Sequence, residues 1–227
     1  MDNTETNGVR GTVFFDYDGT LHDSMRLYGP AFRTAYAWLV KGGYANPREF
    51  SEEEISQWLG WTVEDMWTTF MPGLAEDVWR KASALVGSEM NRLMEEGRGS
   101  LFAGVPEMME ELQGAGFDLA FLSNCGFAYR DNHIREFGLG PFLKAAYCAE
   151  EFDFIPKWKI FQQVKERHVP PFIMVGDRFH DIEVAVKASI PSIGCSYGFG
   201  AEGELDAATV LVESPSEIPA AVVRLLA

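Results

Sequence analysis

The chain has 227 residues, of which 47% are hydrophobic and 23% are charged, and its formal net charge is −15 at pH 7. This length fits one large domain or a core with a smaller insert, and no apolar stretch is long enough to span a bilayer. The negative charge disfavours nucleic acid and membranes as partners, because proteins bind both polyanions largely through Lys and Arg. A small anionic ligand is compatible with it where a cation or a local lysine offsets the field.

The N-terminus and the cysteines both fit a cytoplasmic protein. Residues 1–10 are polar and lack the charged start and apolar run of a secretory signal. Cys125, Cys148 and Cys195 are widely spaced, with no CxxC pattern and no histidine at zinc-ligand spacing. We therefore expect reduced, mostly buried thiols and a cytoplasmic location. A monomer or a weak homodimer is the default expectation.

The first predicted strand, residues 13–15, runs directly into the sequence DYDGTL at residues 16–21. Asp16 and Asp18 are two residues apart at the strand end, so both carboxylates can project toward one point beyond it. Crowded acids repel each other unless a cation or a proton neutralises them, and carboxylate oxygens favour a hard cation such as Mg²⁺. The alternative is an ordinary turn, in which Asp and Gly are favoured for backbone reasons alone.

Residues 25–99 show helical periodicity without a convincing strand, and they contain five of the six tryptophans. Ser51 followed by Glu54 predicts a capping-box helix start, and residues 74–94 predict one long amphipathic helix. An all-helical insert after the first strand is therefore expected.

From about residue 102 onward, short apolar runs alternate with helical patterns, which is typical of βα units around a parallel sheet. Pro106 predicts the first turn of a helix that ends at residues 114–116, and SPSE at residues 214–217 predicts a capping box that begins a C-terminal helix. The predicted strands are 117–123, 145–149, 172–176, 192–195 and 209–212.

The predicted fold class is α/β with two domains. A parallel-sheet core comprises residues 1–23 and 100–227, and an all-helical domain comprises residues 24–99. No internal repeat, low-complexity run or long linker is visible in the sequence, so we expect short hinges near Ser24 and Ser100.

Further polar residues follow strand ends downstream. Ser123 and Asn124 offer a hydroxyl and an amide that can hold phosphoryl oxygens, although such pairs are also ordinary turn residues. Lys157 stands just before a predicted helix, where its ammonium can neutralise a phosphoryl group and an acidic nucleophile. Lys159 competes for this role but lies within the helix, and an ordinary exposed lysine is the alternative.

The sequence GDRFHD at residues 176–181 follows another apolar strand. Asp177 can face the strand's carboxyl end as a metal ligand, and Asp181, one helical turn later, can bond to a water on the metal or to Lys157. An acidic helix start stabilised by the helix dipole is the alternative. Four motifs in order, each at a strand's carboxyl end, support one another, because open α/β sheets build their sites at that edge.

These motifs resemble the haloacid dehalogenase-like hydrolase superfamily, in the group similar to phosphoglycolate phosphatases with a helical (C1-type) cap. The resemblance covers nearly the whole chain and implies a Rossmann-like core with the cap inserted after the first motif. Relatives often carry Lys-Pro-x-Pro before the lysine helix, whereas residues 155–159 read IPKWK here. The helix phase favours Lys157. The matching segments are residues 16–21, 123–124, 157 and 176–181, with 104–106 and 197–200 in support.

The resemblance implies that Asp16 is the nucleophile, forming an aspartyl phosphate, and that Asp18 is the general acid and base. It implies Mg²⁺ held by Asp16, the Asp18 backbone carbonyl and Asp177, with Asp181 bound directly or through water. Charge on the phosphoryl group is then stabilised by Ser123, Asn124 and Lys157. The residues expected near the substrate are Gly19, Thr20, His22, Gly60, Trp61 and Arg178.

Specificity is expected to come from the cap. The sequence WLGWT at residues 58–62 interrupts the helical pattern, and in relatives with this kind of cap a glycine-containing loop descends here onto the active site. Trp61 then either contacts the leaving group or packs the cap core, as aromatic residues usually do. His22 and Arg178 flank motifs and either border the pocket or are solvated rim residues.

Asp18 selects among the chemistries of the resembled superfamily. Dehalogenating and phosphonate-cleaving relatives lack an acid at this position, so we expect a hydrolase of small phosphorylated metabolites. A phosphomutase similar to β-phosphoglucomutase is an alternative, but such enzymes carry a histidine near the position of Tyr28, and none is present. A non-catalytic protein that binds phosphorylated metabolites is the other alternative. The sequence does not select the natural substrate.

Overall fold

The computed structural model of the chain describes residues 8–226. The predicted polar N-terminus therefore falls partly, at residues 1–7, outside the described part. None of the described helices combines the length and the apolar character that a membrane crossing needs.

The strands are β1 (Gly11–Phe15), β2 (Phe117–Ser123), β3 (Leu143–Cys148), β4 (Phe172–Gly176), β5 (Ser192–Cys195) and β6 (Val210–Val212). The α-helices are α1 (Met25–Lys41), α2 (Glu52–Ser56), α3 (Val63–Phe70), α4 (Glu76–Glu95), α5 (Val105–Gly114), α6 (Phe127–Glu136), α7 (Lys157–Val164), α8 (Phe179–Ala188) and α9 (Ile218–Leu225).

Six parallel strands form one sheet in the order β3-β2-β1-β4-β5-β6. The chain passes from β1 to β2 on one side and reaches β4 on the other, so the strand order reverses at β1. This is the α/β, Rossmann-like arrangement that was expected. The predictions of β2, β4 and β5 are confirmed, whereas β3 begins earlier than predicted because the first part of this edge strand is only partly buried.

Two apolar layers cover the two faces of the sheet, as the alternation of side chains along β1 requires. Val13 and Phe15 belong to the layer that includes α5 and α9, and Phe14 belongs to the layer that includes α7 and α8. Phe14 has no exposed surface and meets the ring of Phe161 edge-on, with ring centroids 5.0 Å apart. Burying a phenylalanine in this way contributes about 1.5–3 kcal/mol.

The chain divides into two compact units, one formed by the segments up to Leu21 and from Leu101 onward, the other by His22–Ser100. The second unit is built from α1 to α4, and the long helix predicted at 74–94 is α4. The capping box at α2 is confirmed: Ser51 Oγ accepts the Glu54 N–H at 3.1 Å, and Glu54 Oε2 accepts the Ser51 N–H at 2.9 Å. The apolar faces of α1 and α4 pack against each other.

The predicted capping box at residues 214–217 is wrong. Ser214 makes no side-chain bond to a helix N–H, and its hydroxyl instead donates to Glu217 Oε1 at 3.2 Å. A short 3₁₀ turn, Pro215–Glu217, precedes α9. The reason is Pro219, which has no N–H to donate to the Pro215 carbonyl, so the turn closes with a three-residue rather than a four-residue step.

Candidate active site at the carboxyl edge of the sheet

The candidate site lies where β1, its neighbour β2 and its neighbour β4 end. Asp16 follows β1, Ser123 ends β2, and Asp177 follows β4. The Asp16 N–H donates to the Val175 carbonyl at 2.9 Å, which continues the β1–β4 ladder up to the acid itself. Ser123 is buried, and Asn124, which follows it, is partly buried. The reversal of strand order at β1 makes this edge the natural crevice of the sheet.

Three carboxylates meet at this edge, as the sequence predicts. Asp16, Asp177 and Asp181 are buried, and one carboxylate oxygen from each lies within 4.8 Å of the others. Gly176 permits the approach of Asp181, because a Cβ there would lie 2.1 Å from the Asp181 Cγ. A larger residue at that position would push α8 away from β4.

Lys157 supplies a positive charge to this carboxylate cluster. Its Nζ donates to Asp16 Oδ1 at 2.8 Å and to Asp181 Oδ1 at 2.6 Å, and the side chain is almost fully buried. Lys157 is the first residue of α7, placed there by Pro156 at the N-cap. Lys159 is exposed and lies over the ring of Trp158 instead. The structure thus places Lys157, and not Lys159, among the acids.

The electrostatics of the cluster are those of a site with excess negative charge. Burial, and then the charge of Asp181, raises the pKa of Asp16 to about 7, although Lys157 opposes the shift. Burial, followed by the charges of Asp16 and Asp181, raises the pKa of Asp177 well above its usual range. Burial lowers the pKa of Lys157, but its two carboxylate partners outweigh burial, so the net shift is upward and the lysine stays charged.

The cluster fits a hard divalent cation. Its ligands are carboxylate oxygens, the donor type that Mg²⁺ prefers. One ammonium faces three acids, so a further cation would relieve their mutual repulsion. Asp16 Oδ2 is buried and has no hydrogen-bond partner within residues 8–226. A buried carboxylate oxygen left in this state is costly unless a ligand completes it.

Asp177 is held by two hydrogen bonds from residues outside the carboxylate cluster. The Thr20 hydroxyl donates to its Oδ1 at 3.3 Å, and the Phe199 N–H donates to its Oδ2 at 2.7 Å. Gly19 has a φ of +83°, and a Cβ there would lie 2.0 Å from Asp177 Oδ2. The structure therefore gives Gly19 and Thr20 a role beside Asp177, and their predicted contact with substrate stays a prediction. The sequence pattern at 197–200 carries no signal for the bond from Phe199 to Asp177.

Asp18 is partly buried, and its side chain is bound by a residue that the sequence did not reveal. The Tyr129 hydroxyl donates to Asp18 Oδ1 at 2.5 Å. Burial, and then the charge of Asp18, raises the pKa of Tyr129 well above its ordinary value. The only sequence signal is indirect, because Tyr129 lies in the first turn of the helix that follows Ser123 and Asn124.

His22 and Arg178 are both buried, so neither is a solvated rim residue. Arg178 forms a two-point pair with Glu204, its Nε donating to Oε2 at 2.7 Å and its Nη2 to Oε1 at 3.0 Å. His22 Nδ1 lies 2.8 Å from Ser24 Oγ. In the helical unit, Gly60 and Trp61 are partly buried, and the Trp61 ring meets another tryptophan ring at 5.9 Å.

The sequence profile of the haloacid dehalogenase-like hydrolases matches residues 13–195. The chain therefore belongs to this family. It is 26% identical over 198 residues to phosphoglycolate phosphatase from Vibrio parahaemolyticus, covering 82% of this chain and 84% of that protein. It is 30% identical over 115 residues to a 5'-nucleotidase from Pseudomonas aeruginosa, covering 47% of this chain and half (50%) of that protein.

The fold is also similar to a crystal structure of a predicted phosphatase from Clostridium acetobutylicum, with a TM-score of 0.81 at 21% identity. That match covers 96% of this chain and 100% of the other. Family and relatives together assign the chain to the phosphatases of this family, which are phosphoric monoester hydrolases. The resemblance seen in the sequence is confirmed.

Proposed function

We propose that this chain is a Mg²⁺-dependent phosphatase that hydrolyses small phosphorylated metabolites through an aspartyl phosphate on Asp16. The observation that carries the proposal is the state of Asp16. It is buried at the sheet edge, Lys157 holds its Oδ1 at 2.8 Å, and its Oδ2 has no hydrogen-bond partner among the described residues. The ammonium of Lys157 opposes the upward shift in the pKa of Asp16 and so favours the anion that a nucleophile must be, while one oxygen stays available for a ligand.

Mg²⁺ would be held by Asp16, Asp177 and the Asp18 backbone carbonyl, with Asp181 bound directly or through water. When bound, the ion neutralises charge on the acids and on the phosphoryl oxygens. Lys157 supplies a second, permanent positive charge at the same place. Ser123 and Asn124 can donate hydrogen bonds to the phosphoryl oxygens from the end of the adjacent strand.

In the first step, a carboxylate oxygen of Asp16 attacks phosphorus and the bond from phosphorus to the leaving oxygen breaks. Asp18 gives its proton to that oxygen, so the product leaves as an alcohol. In the second step, Asp18 takes a proton from water, whose oxygen attacks phosphorus, and the bond to Asp16 breaks. Inorganic phosphate leaves, and both acids return to their starting states.

The substrate class is supported by the relatives, which are named for a nucleotide and for phosphoglycolate. We expect residues 24–99 to act as the cap that selects the leaving group, with Gly60 and Trp61 near it. A panel of phosphoglycolate, nucleoside 5'-monophosphates and sugar phosphates tests this. Trp61→Ala should change relative kcat/KM values across the panel, whereas Trp38→Ala, a tryptophan elsewhere in the helical unit, should not.

We also expect a cytoplasmic monomer or weak homodimer without nucleic acid or membrane partners.

The main test is release of phosphate from p-nitrophenyl phosphate. Activity should require Mg²⁺, disappear with a chelator, and fall by a factor on the order of 10³ or more in Asp16→Asn, since the nucleophile is lost. Asp131→Asn, which alters an exposed acid on α6, should keep full activity. Full activity in Asp16→Asn would refute the mechanism. Isomerisation of a sugar phosphate in the presence of its bisphosphate, without release of phosphate, would indicate a mutase, and binding without turnover would indicate a non-catalytic protein.

A further inference from the structure

Tyr129 contacts Asp18 across 111 positions of sequence, and the contact is short. The phenol oxygen lies 2.5 Å from Asp18 Oδ1. Hydrogen bonds from a hydroxyl to an oxygen are about 2.5–3.0 Å long, so this contact lies at the short end of the range. An aspartate side chain has several staggered rotamers, and a partner this close selects one of them.

Tyr129 is itself held in place, because α6 is anchored at its first turn. Glu150 Oε2 accepts the Phe127 N–H at 2.7 Å, which satisfies one free amide of the helix start. Arg130, the next residue after Tyr129, donates from Nη1 to the Ala146 carbonyl of β3 at 3.2 Å. The tyrosine therefore approaches Asp18 from a fixed element.

A second contact ties the same helix to the loop that carries Asp18. The Tyr129 ring stacks on His133, one turn later in α6, with centroids 3.8 Å apart and planes at 28°. His133 Nδ1 lies 2.9 Å from the Tyr17 hydroxyl, and both of these residues are buried. Helix α6 thus holds two consecutive residues of the loop, Tyr17 through His133 and Asp18 directly.

We propose that Tyr129 is a positioning residue that holds the Asp18 carboxyl in the orientation from which it donates its proton to the leaving group. The inference rests on the proposed function, since it assumes that Asp18 is the general acid. The tyrosine binds Oδ1 and so fixes the orientation of the carboxyl. As the bond from phosphorus to oxygen breaks, the proton of this carboxyl passes to the leaving oxygen. Tyr129 keeps its own proton and donates more strongly to the carboxylate that remains.

Comparing two leaving groups distinguishes a role in proton donation from a purely structural role, because a structural defect would lower kcat/KM equally for both. A p-nitrophenolate ion is stable without a proton, whereas an alkoxide is not. In Tyr129→Phe, kcat/KM for the best alkyl phosphate of the panel should fall about tenfold or more, and kcat/KM for p-nitrophenyl phosphate by less than about threefold. The control is Tyr147→Phe, which removes a phenol hydroxyl that is hydrogen-bonded to His168 in the same unit. This variant should leave the ratio of the two kcat/KM values unchanged. An equal loss on both substrates, or no loss on either, overturns the proposal.

Two further measurements separate this inference from the proposed function. In an Asp18→Asn background, Tyr129→Phe should cause no further change in the ratio, because the two residues act as one unit. A further change overturns the inference. In a crystal structure of Tyr129→Phe, the Asp18 side chain should rotate or occupy several rotamers, and an unchanged single rotamer overturns it. This last readout needs no turnover. An inactive wild type would refute the proposed function, whereas the rotamer of Asp18 would still show whether Tyr129 holds its carboxyl.

Discussion

The two compact units bury different kinds of side chain. In the sheet unit, charged residues are buried at the carboxyl edge. In the helical unit, the buried helical positions are apolar, with Leu27, Phe32 and Leu39 on α1 and Trp67 on α3. Among residues 8–226, every buried charged residue lies in the sheet unit: Asp16, Lys157, Asp177, Arg178 and Asp181.

The two units are therefore stabilised by different interactions, and only the sheet unit bears the energetic cost of buried charge. Burying charge is unfavourable unless each charge is paired, so the sheet unit depends on specific partners. The helical unit depends on apolar area and on ring packing, which tolerate exchange of one hydrophobic residue for another of similar volume. Substitutions of similar size should therefore act through different mechanisms in the two units.

The largest effect is expected at Lys157. Lys157→Met keeps the length of the side chain but leaves Asp16 and Asp181 buried without their cation. Breaking a buried ion pair in this way should lower the free energy of unfolding by about 3–5 kcal/mol in metal-free protein and abolish activity. Urea denaturation followed by circular dichroism measures the first effect. Lys159→Met, an exposed neighbour, should change stability by less than about 0.5 kcal/mol. Equal results for the two variants would contradict a special role for Lys157.

Lys157 also illustrates what a sequence can predict. Parallel strands bring their carboxyl ends to one edge, so acids that follow apolar strands are brought together by topology alone. Strand order therefore predicts that Asp16 and Asp177 lie together. Helix phase favours Lys157 over Lys159, and the structure has Lys157 at the first position of α7, with its ammonium bonded to the acids.

The residues that were missed depend on tertiary approach rather than on strand order. Tyr129 reaches Asp18 from the first turn of a helix, and Glu204 reaches Arg178 from a loop after β5. No periodicity or spacing encodes these meetings, because each depends on how a helix or a loop lies over the edge. The prediction of a capping box at residues 214–217 is wrong for a different reason. The four residues of the motif do not include Pro219, which follows them and changes the turn.

In the helical unit, the largest loss of stability is expected for Phe32→Ala. Phe32 is 1% exposed and packs against the rings of Phe50 at 5.2 Å and Phe70 at 5.3 Å. Removing it leaves a cavity, which should cost about 3–5 kcal/mol of unfolding free energy. Val63→Ala, at a position that is 51% exposed, should stay within about 0.5 kcal/mol of wild type. Thermal melting compares the two, and equal melting temperatures would show that this ring cluster contributes little.

A smaller effect is expected from Glu204→Gln. The variant leaves the buried Arg178 facing a neutral amide, which should lower the free energy of unfolding by about 1.5–3 kcal/mol. The same loop carries the Phe199 N–H that binds Asp177, so the Mg²⁺ concentration for half-maximal activity should rise about tenfold. Glu202→Gln, an exposed acid in the same loop, is the matched control. If both variants require the same Mg²⁺ concentration as wild type, the ion pair between Arg178 and Glu204 does not help to hold Asp177 in place.

The smallest effect concerns pH and His168. Burial, followed by the charges of Arg167 and Lys144 and opposed by Asp118, lowers the pKa of His168 in the folded state. The unfolded chain then binds more protons than the folded chain, so stability is complete above about pH 6.5 and declines as the pH falls below it.

The contacts of His168 also indicate that protonation of its ring destabilises the folded state. The Tyr147 hydroxyl lies 2.9 Å from His168 Nε2, and Nδ1 is buried without a hydrogen-bond partner in the described chain, so a protonated ring would bury an unpaired N–H. His168→Phe keeps a ring against Phe14, whose centroid lies 5.0 Å from that of the histidine. Between pH 8 and pH 5.5, the urea midpoint of wild type should therefore fall more than that of the variant. Parallel midpoints would place the acid sensitivity of the core elsewhere, with the carboxylates at the sheet edge as the next groups to test.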